Sequence, residues 1–239
     1  MVFDPNTLEN VLLILRDADI KVHLVPHFDG IEEAEWHYVI FDSPSRYINR
    51  FDAICQAASA VPGAVTSIEL WNEAIDTRST WAAYTPLYRS TAPKLVAIAR
   101  KRLHGVKVVM PLPIDQSPQQ AQFVVTGKVV PFDLFSVADE VSGHVYPIDK
   151  NAYPYPGGAA EIQRRRDVLI ATAKAIGKPL IVTELGVEAS LAGANTRMKD
   201  TAKAYDDSGI PFYLWTLHGN AGSYDLFRDP GLFLAAEGK

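Results

Sequence analysis

The 239-residue sequence predicts an α/β protein built on a parallel sheet with crossover helices, either a doubly wound open sheet or a (β/α)8 barrel of the TIM type. Short runs rich in Val, Ile, Leu and aromatic residues alternate with longer segments whose apolar residues recur every three or four positions. Several helical segments close on a glycine just before the next apolar run, at Gly105, Gly177 and Gly209, which is C-cap chemistry repeated once per unit. No GxGxxG or GxxxxGKS signature follows the first strand, so the nucleotide-binding open sheets lose ground to the barrel.

Taken in order, NTLENVLLILRDA (6–18) has helical spacing and KVHLVPHF (21–28) is the first β-rich run. SRYINRFDAICQAASA (45–60) is the second helix, and TSIELWNE (66–73) the second strand, apolar until its polar end. YRSTAPKLVAIARKRL (88–103) leads through Gly105 into the strand VKVVMP (106–111), and EVSGHVYP (140–147) follows as the fourth strand. AAEIQRRRDVLIATAKAIG (159–177) precedes PLIVTELG (179–186), and TRMKDTAKAYDDSG (196–209) precedes PFYLWTLH (211–218). The YPYPGG stretch ending at Gly158 is loop chemistry and not a phosphate cradle.

With 48% hydrophobic and 21% charged residues the chain has enough apolar mass for a sizeable core, and residues 1–239 read as a single barrel-like domain. A net charge of −5 without a long basic run excludes the electrostatic footprint of a nucleic-acid binder, and Arg164 to Arg166 read as a solvated helix face. The single cysteine, Cys55, cannot form an internal disulfide and sits in an apolar pattern, as a buried structural thiol does. The N-terminal segment carries charges through its apolar part and lacks a small-residue cleavage site, so it is neither a signal peptide nor a membrane span. That pattern fits a cytoplasmic protein or a secreted one whose signal has been removed. The six histidines are scattered without zinc spacing, and neither a metal nor another cofactor is implied.

The strand ends carry the chemistry: His27 and Asp29, Asn72 and Glu73, His144 and Tyr146, Glu184, and Trp215 with His218. In a barrel the C-terminal strand ends converge on one mouth, where barrel enzymes place their active sites. Glu73 and Glu184 each end a strand that otherwise wants burial. A carboxylate there is costly unless partnered, so two of them at the same end of a sheet call for a function.

These residues resemble a known family. Trp71-Asn72-Glu73 ending one strand, His144-Val145-Tyr146 two strands later, Thr183-Glu184-Leu185-Gly186 on the next and Trp215 on the last are similar to the clan A glycoside hydrolases, the cellulase-like group whose two glutamates end strands four and seven. The resemblance implies that Glu73 is the acid/base and Glu184 the nucleophile of a retaining hydrolase acting on a β-linked oligo- or polysaccharide. Such a mechanism needs its two carboxyl groups about 5–5.5 Å apart, and the charge of the nucleophile then raises the pKa of the acid. The resemblance further implies that Asn72 hydrogen-bonds the sugar 2-hydroxyl, that Tyr146 orients the nucleophile, that His144 lines the cleft and that Trp215 stacks on a pyranose ring. His27 matches a family histidine at the end of strand three and reads equally as substrate contact or barrel-rim residue. Glu69, two residues before Trp71, reads as a buried partner of the site and not a catalyst. Trp36, His37, Tyr38, Trp81, Tyr84, Tyr153 and Tyr155 fall in expected loops, where they line subsites or pack locally.

The family barrel has two strands before the one ending at His27, and here only Met1-Val2-Phe3 precedes the first helix. The expectation is therefore a barrel shortened or incomplete at its N-terminal side, with the family's strand-two Arg unmatched. Six strands cannot close an eight-stranded barrel. Loops covering the gap, a homo-oligomer closing it, or a fragment of a longer chain are the three accounts. The rival function is a non-catalytic carbohydrate-binding or structural protein derived from such a barrel; a second is a barrel lyase or isomerase using Glu as a base.

Overall fold

The structure is a computed structural model. It describes residues 4–26, 44–72, 81–112, 131–146, 158–187, 193–214 and 234–236. Among the described residues helices and strands follow in the order α1 (Pro5–Asp17), β1 (Val22–Leu24), α2 (Pro44–Ser59), β2 (Val65–Glu69), α3 (Trp81–Arg102), β3 (Lys107–Pro111), β4 (Glu140–Val145), α4 (Gly158–Ile176), β5 (Leu180–Leu185), α5 (Ala194–Asp206) and β6 (Phe212–Leu214). A 3-10 helix, Phe132–Val137, precedes β4. The strands are hydrogen-bonded in chain order from β1 to β6, and β1–β2, β2–β3 and β5–β6 pair in parallel. Sequential parallel order with a helix in most crossovers is the (β/α)8-barrel pattern and not the doubly wound one, whose order reverses. Each strand and helix lies within or overlaps the stretch the alternation of patterns assigns to it.

The described residues fall into two compact units, one of residues up to 112 with 131–141, the other from 142 onward. In the first, Pro5 opens α1 with its fixed φ while the Asp4 side chain accepts from the Asn6 amide at 3.1 Å. Helix α2 packs on both α1 and α3. Its Tyr47, Phe51 and Cys55 are buried with Leu12 of α1 and Tyr88, Leu95 and Ala99 of α3. Each fully buried large side chain of this kind contributes about 1.5–3 kcal/mol. Burial pushes the Cys55 thiol up to about 12, so it packs as a small apolar group. A bidentate pair at 2.9 and 3.1 Å joins Arg102, at the end of α3, to Asp52 of α2.

In the second unit, Gly143 of β4 lets α4 come close: a Cβ there would stand 2.8 and 2.9 Å from the Leu169 δ-carbons. The glycine stops are present where the sequence puts them, with φ of +76° at Gly105, +77° at Gly177 and +66° at Gly209. After α4 and α5 the 6→1 bonds of a Schellman stop are made by Lys178 N–H to the Ala173 carbonyl (3.1 Å) and Ile210 N–H to the Tyr205 carbonyl (3.1 Å). Among the described residues no helix is long and apolar enough to cross a membrane.

Two features depart from the sequence expectation. Helix α3 begins at Trp81 and runs through Pro86 and Pro93, so Trp81 and Tyr84 lie in a helix and not in a loop. A proline removes one i→i−4 bond; burial of Thr91, Ala92, Leu95 and Val96 around Pro93 keeps the helix going. The 3-10 helix has no counterpart among the sequence patterns: six residues are too few for a periodic signal, although Leu134 and Phe135 are buried.

Candidate active site

Glu184 is the penultimate residue of β5, a strand buried along nearly its whole length, and is itself 3% exposed. A carboxylate so placed needs donors. Its neighbours come from β4 and the residue just after it: the Tyr146 hydroxyl donates to Glu184 Oε2, and His144 Nδ1 lies 3.3 Å from the same oxygen. His144 and Tyr146 are two apart and so share a side of the extended chain, while Gly186 N–H donates to the Val145 carbonyl at 3.1 Å and holds the two strand ends together. Arg165 of α4 reaches the Tyr146 carbonyl at 3.3 Å. The reading of residues 164–166 as one solvated face therefore fails for Arg165, and nothing in an RRR run marks its middle member.

In the first unit the end of β2 leads into Leu70, Trp71 and Asn72, all buried. Leu70 N–H donates to the Val109 carbonyl at 3.0 Å, and the Tyr47 hydroxyl donates to the Leu70 carbonyl at 2.5 Å. The Trp71 ring stands 4.8 Å from that of Tyr88. Trp71 Nε1 and Asn72 Oδ1 are buried without a hydrogen-bond partner among the described residues. Glu69 is fully buried, with its Oε1 3.8 Å from His23 Nε2, and His23 Nδ1 is 2.6 Å from Ser67 Oγ. Sequence reading singled out Glu69 but not His23, Ser67 or Tyr47, because the register of neighbouring parallel strands is not written in either strand.

Of the residues expected at the site, Glu184, His144 and Tyr146 are thus brought together, and Asn72 lies just beyond the end of β2. Glu73, His27 and Trp215 lie outside the described residues. Among the described residues no group of three or more His, Cys, Asp or Glu could hold a metal ion.

The fold defines the class: an incomplete (β/α)-barrel, an architecture it shares with solved glycoside hydrolases. Solved structures with this fold include a hyperthermophilic endo-β-1,4-glucanase in complex with substrate (16% identity, 98% of this chain and 77% of that one, TM-score 0.72). A family 5 xyloglucanase from Paenibacillus pabuli is similar over 98% of this chain and 79% of its own (13% identity, TM-score 0.70). The lactosyl-enzyme intermediate of endo-glycoceramidase II from Rhodococcus sp. matches 94% of this chain and 62% of that one (15% identity, TM-score 0.62). At these identities the likeness is one of fold. No family model matches the sequence, and no curated sequence matches it.

Proposed function

We propose that the protein is a retaining glycoside hydrolase that cleaves a β-glycosidic bond of an oligo- or polysaccharide by double displacement, with Glu184 as nucleophile and Glu73 as acid/base. The observation that supports this most is the setting of Glu184: a buried carboxylate at a strand's C-terminal end whose Oε2 receives the Tyr146 hydroxyl beside His144 Nδ1. Donors aimed at the ionised form favour it, which suits a group that must attack as an anion.

In the first step a Glu184 oxygen forms a bond to the anomeric carbon as the glycosidic C–O bond breaks, and the Glu73 proton passes to the leaving oxygen. In the second, water gives its proton to Glu73 and its oxygen to the anomeric carbon, releasing Glu184. Asn72 binds the sugar 2-hydroxyl, a contact that strengthens as the oxocarbenium-like state develops. Tyr146 keeps the nucleophile ionised and oriented, His144 lines the same wall, and His27 and Trp215 contact the sugar ring. No cofactor takes part. The covalent species is of the same kind as the lactosyl-enzyme intermediate of the Rhodococcus endo-glycoceramidase.

The test is mass spectrometry of the intact protein after incubation with a panel of 2-deoxy-2-fluoro aryl glycosides, wild type against Glu184→Gln. A glycosyl adduct in the wild type and none in the variant supports the mechanism and names the sugar. No adduct with any sugar, alongside measurable oligosaccharide binding, sinks the proposal in favour of a binding protein.

A further inference from the structure

Three buried polar side chains have no part in that chemistry: His23, Ser67 and Glu69. They meet because of an irregularity in the sheet. Val22 pairs with Val65 but His23 with Ser67, so β1 advances one residue while β2 advances two. Such a bulge re-aims the side chains beyond it. It sets the His23 imidazole with Nδ1 at 2.6 Å from Ser67 Oγ and Nε2 at 3.8 Å from Glu69 Oε1. Ser67 and Glu69, two apart, lie on the same face of β2. The side chains of His23 and Glu69 are only 2% and 0% exposed. Burying a carboxylate this completely is destabilising unless its partners are held in place, so the arrangement asks what it holds.

The candidate site begins immediately after Glu69 in the chain. On the other flank, α2 contributes Tyr47, whose hydroxyl binds the Leu70 carbonyl at 2.5 Å. Burial first, then the neighbouring Glu69 charge, push that hydroxyl well above its ordinary range, so it remains a donor. Residues 67–70 are thereby gripped from β1 and from α2, and Trp71 and Asn72 come next without a break.

We infer that His23 and Glu69 are positioning residues: through Ser67 and the end of β2 they fix the orientation of Asn72. The inference rests on the reading of Asn72 as substrate-facing. The two ring nitrogens face different groups, Nδ1 the Ser67 hydroxyl and Nε2 the Glu69 carboxylate, and we assign the proton to Nε2, on the side of the carboxylate, with the Ser67 hydroxyl donating to Nδ1.

The experiment compares the wild-type chain with Glu69→Ala and Glu69→Gln by 15N NMR of the His23 ring, the Trp71 indole and the Asn72 carboxamide, and by kcat and KM on an aryl glycoside. Expected are a single Nε2–H tautomer in the wild type, and in Glu69→Ala a mixed tautomer with shifted or doubled Asn72 and Trp71 signals. With these go a fall in kcat of at least about tenfold, little change in KM, and partial recovery in Glu69→Gln, which keeps the side-chain volume and a polar oxygen facing Nε2. A Glu69→Ala protein that melts earlier but keeps the Asn72 and Trp71 signals, or keeps kcat, overturns the inference and leaves Glu69 a stabilising residue only. If the wild type turns over no glycoside, the NMR readout still decides the positioning role, and it is the proposed hydrolase activity that fails. Should Glu69→Ala not fold, Ser67→Ala removes only the partner of Nδ1 and is read by the same signals.

Discussion

Replacing Tyr146 by Phe removes one hydroxyl and leaves the ring in place. That hydroxyl donates to Oε2 of Glu184, a carboxylate 3% exposed, while His144 Nδ1 at 3.3 Å stays on the same oxygen. A hydrogen bond to a charged, buried group is worth about 1.5–3 kcal/mol. Because the donor favours the ionised carboxylate, its loss falls on that state alone. The Glu184 carboxyl therefore gains its proton at higher pH in the variant than in the wild type. A nucleophile must be ionised, so the acid limb of the kcat/KM profile moves to higher pH, and activity at a pH below that limb drops about 10- to 100-fold. Carboxyl-carbon NMR with labelled glutamate, titrated in both proteins, measures the shift directly and does not depend on turnover. Titration of Glu184 at the same pH in both, within about 0.3 unit, would mean that the Tyr146 contact contributes nothing to the charge state, and the reasoning collapses.

Gly143→Ala places a Cβ 2.8 and 2.9 Å from the Leu169 δ-carbons, so Leu169 must rotate or α4 must withdraw, taking Arg165 from the Tyr146 carbonyl. We expect a loss of about 1–3 kcal/mol in urea denaturation, largely recovered when Leu169→Ala is added, and a neutral Gly143→Ala refutes the close approach. The Asp52 carboxyl is held below its ordinary range chiefly by the Arg102 hydrogen bond. Its contribution is therefore present above the unfolded carboxylate pKa, about 4, and is lost as pH falls through the lower folded value. Both side chains are about a third exposed (37% and 32%), which limits the pair to roughly 0.5–1 kcal/mol. Asp52→Asn should lower stability by that much at pH 7 and by almost nothing at pH 2 in paired urea melts; an equal loss at both pH values would assign the effect to packing.

The strands were legible because those of a parallel sheet are covered on both faces and appear as near-continuous apolar runs, as in VKVVMP and PLIVTELG. Helix ends were legible through glycine, since a left-handed residue leaves that mark wherever a helix must stop. Proline was no barrier: the sequence pattern already carries this helix through Pro93, and the structure extends it back through Pro86 to Trp81, the packing of α3 on α2 outweighing the two missing hydrogen bonds. The polar residues split along another line. Glu184, His144 and Tyr146 stand out because each interrupts or closes an apolar run. His23, Ser67 and Arg165 do not, because what gives them partners is a bulge in the register and the facing of one helix residue, neither of which has a local signal. Glu69 was conspicuous as a buried acid, but its partner was not.

The segment 131–141 belongs with residues well before it in the chain, and this has a bearing on how the chain is made. Asp139 returns to β3 with its N–H on the Val108 carbonyl (2.8 Å) and its carboxylate on the Val108 N–H (2.9 Å), and Arg100 meets the same carboxylate at 3.1 Å. Arg89 clasps Asp133 at 2.5 and 3.0 Å, Lys107 pairs with Glu140, and Leu134 and Phe135 bury themselves in the same unit. A nascent chain that has emerged only to residue 112 thus presents β3 with its second edge unoccupied and the site for Phe135 empty, the kind of surface that aggregates or recruits chaperones. It cannot complete its first unit until β4 has begun to leave the ribosome, and from Ser142 on that same strand serves the second. β4 is therefore a poor place to split this protein: a cut there denies one unit its last residues or the other its first.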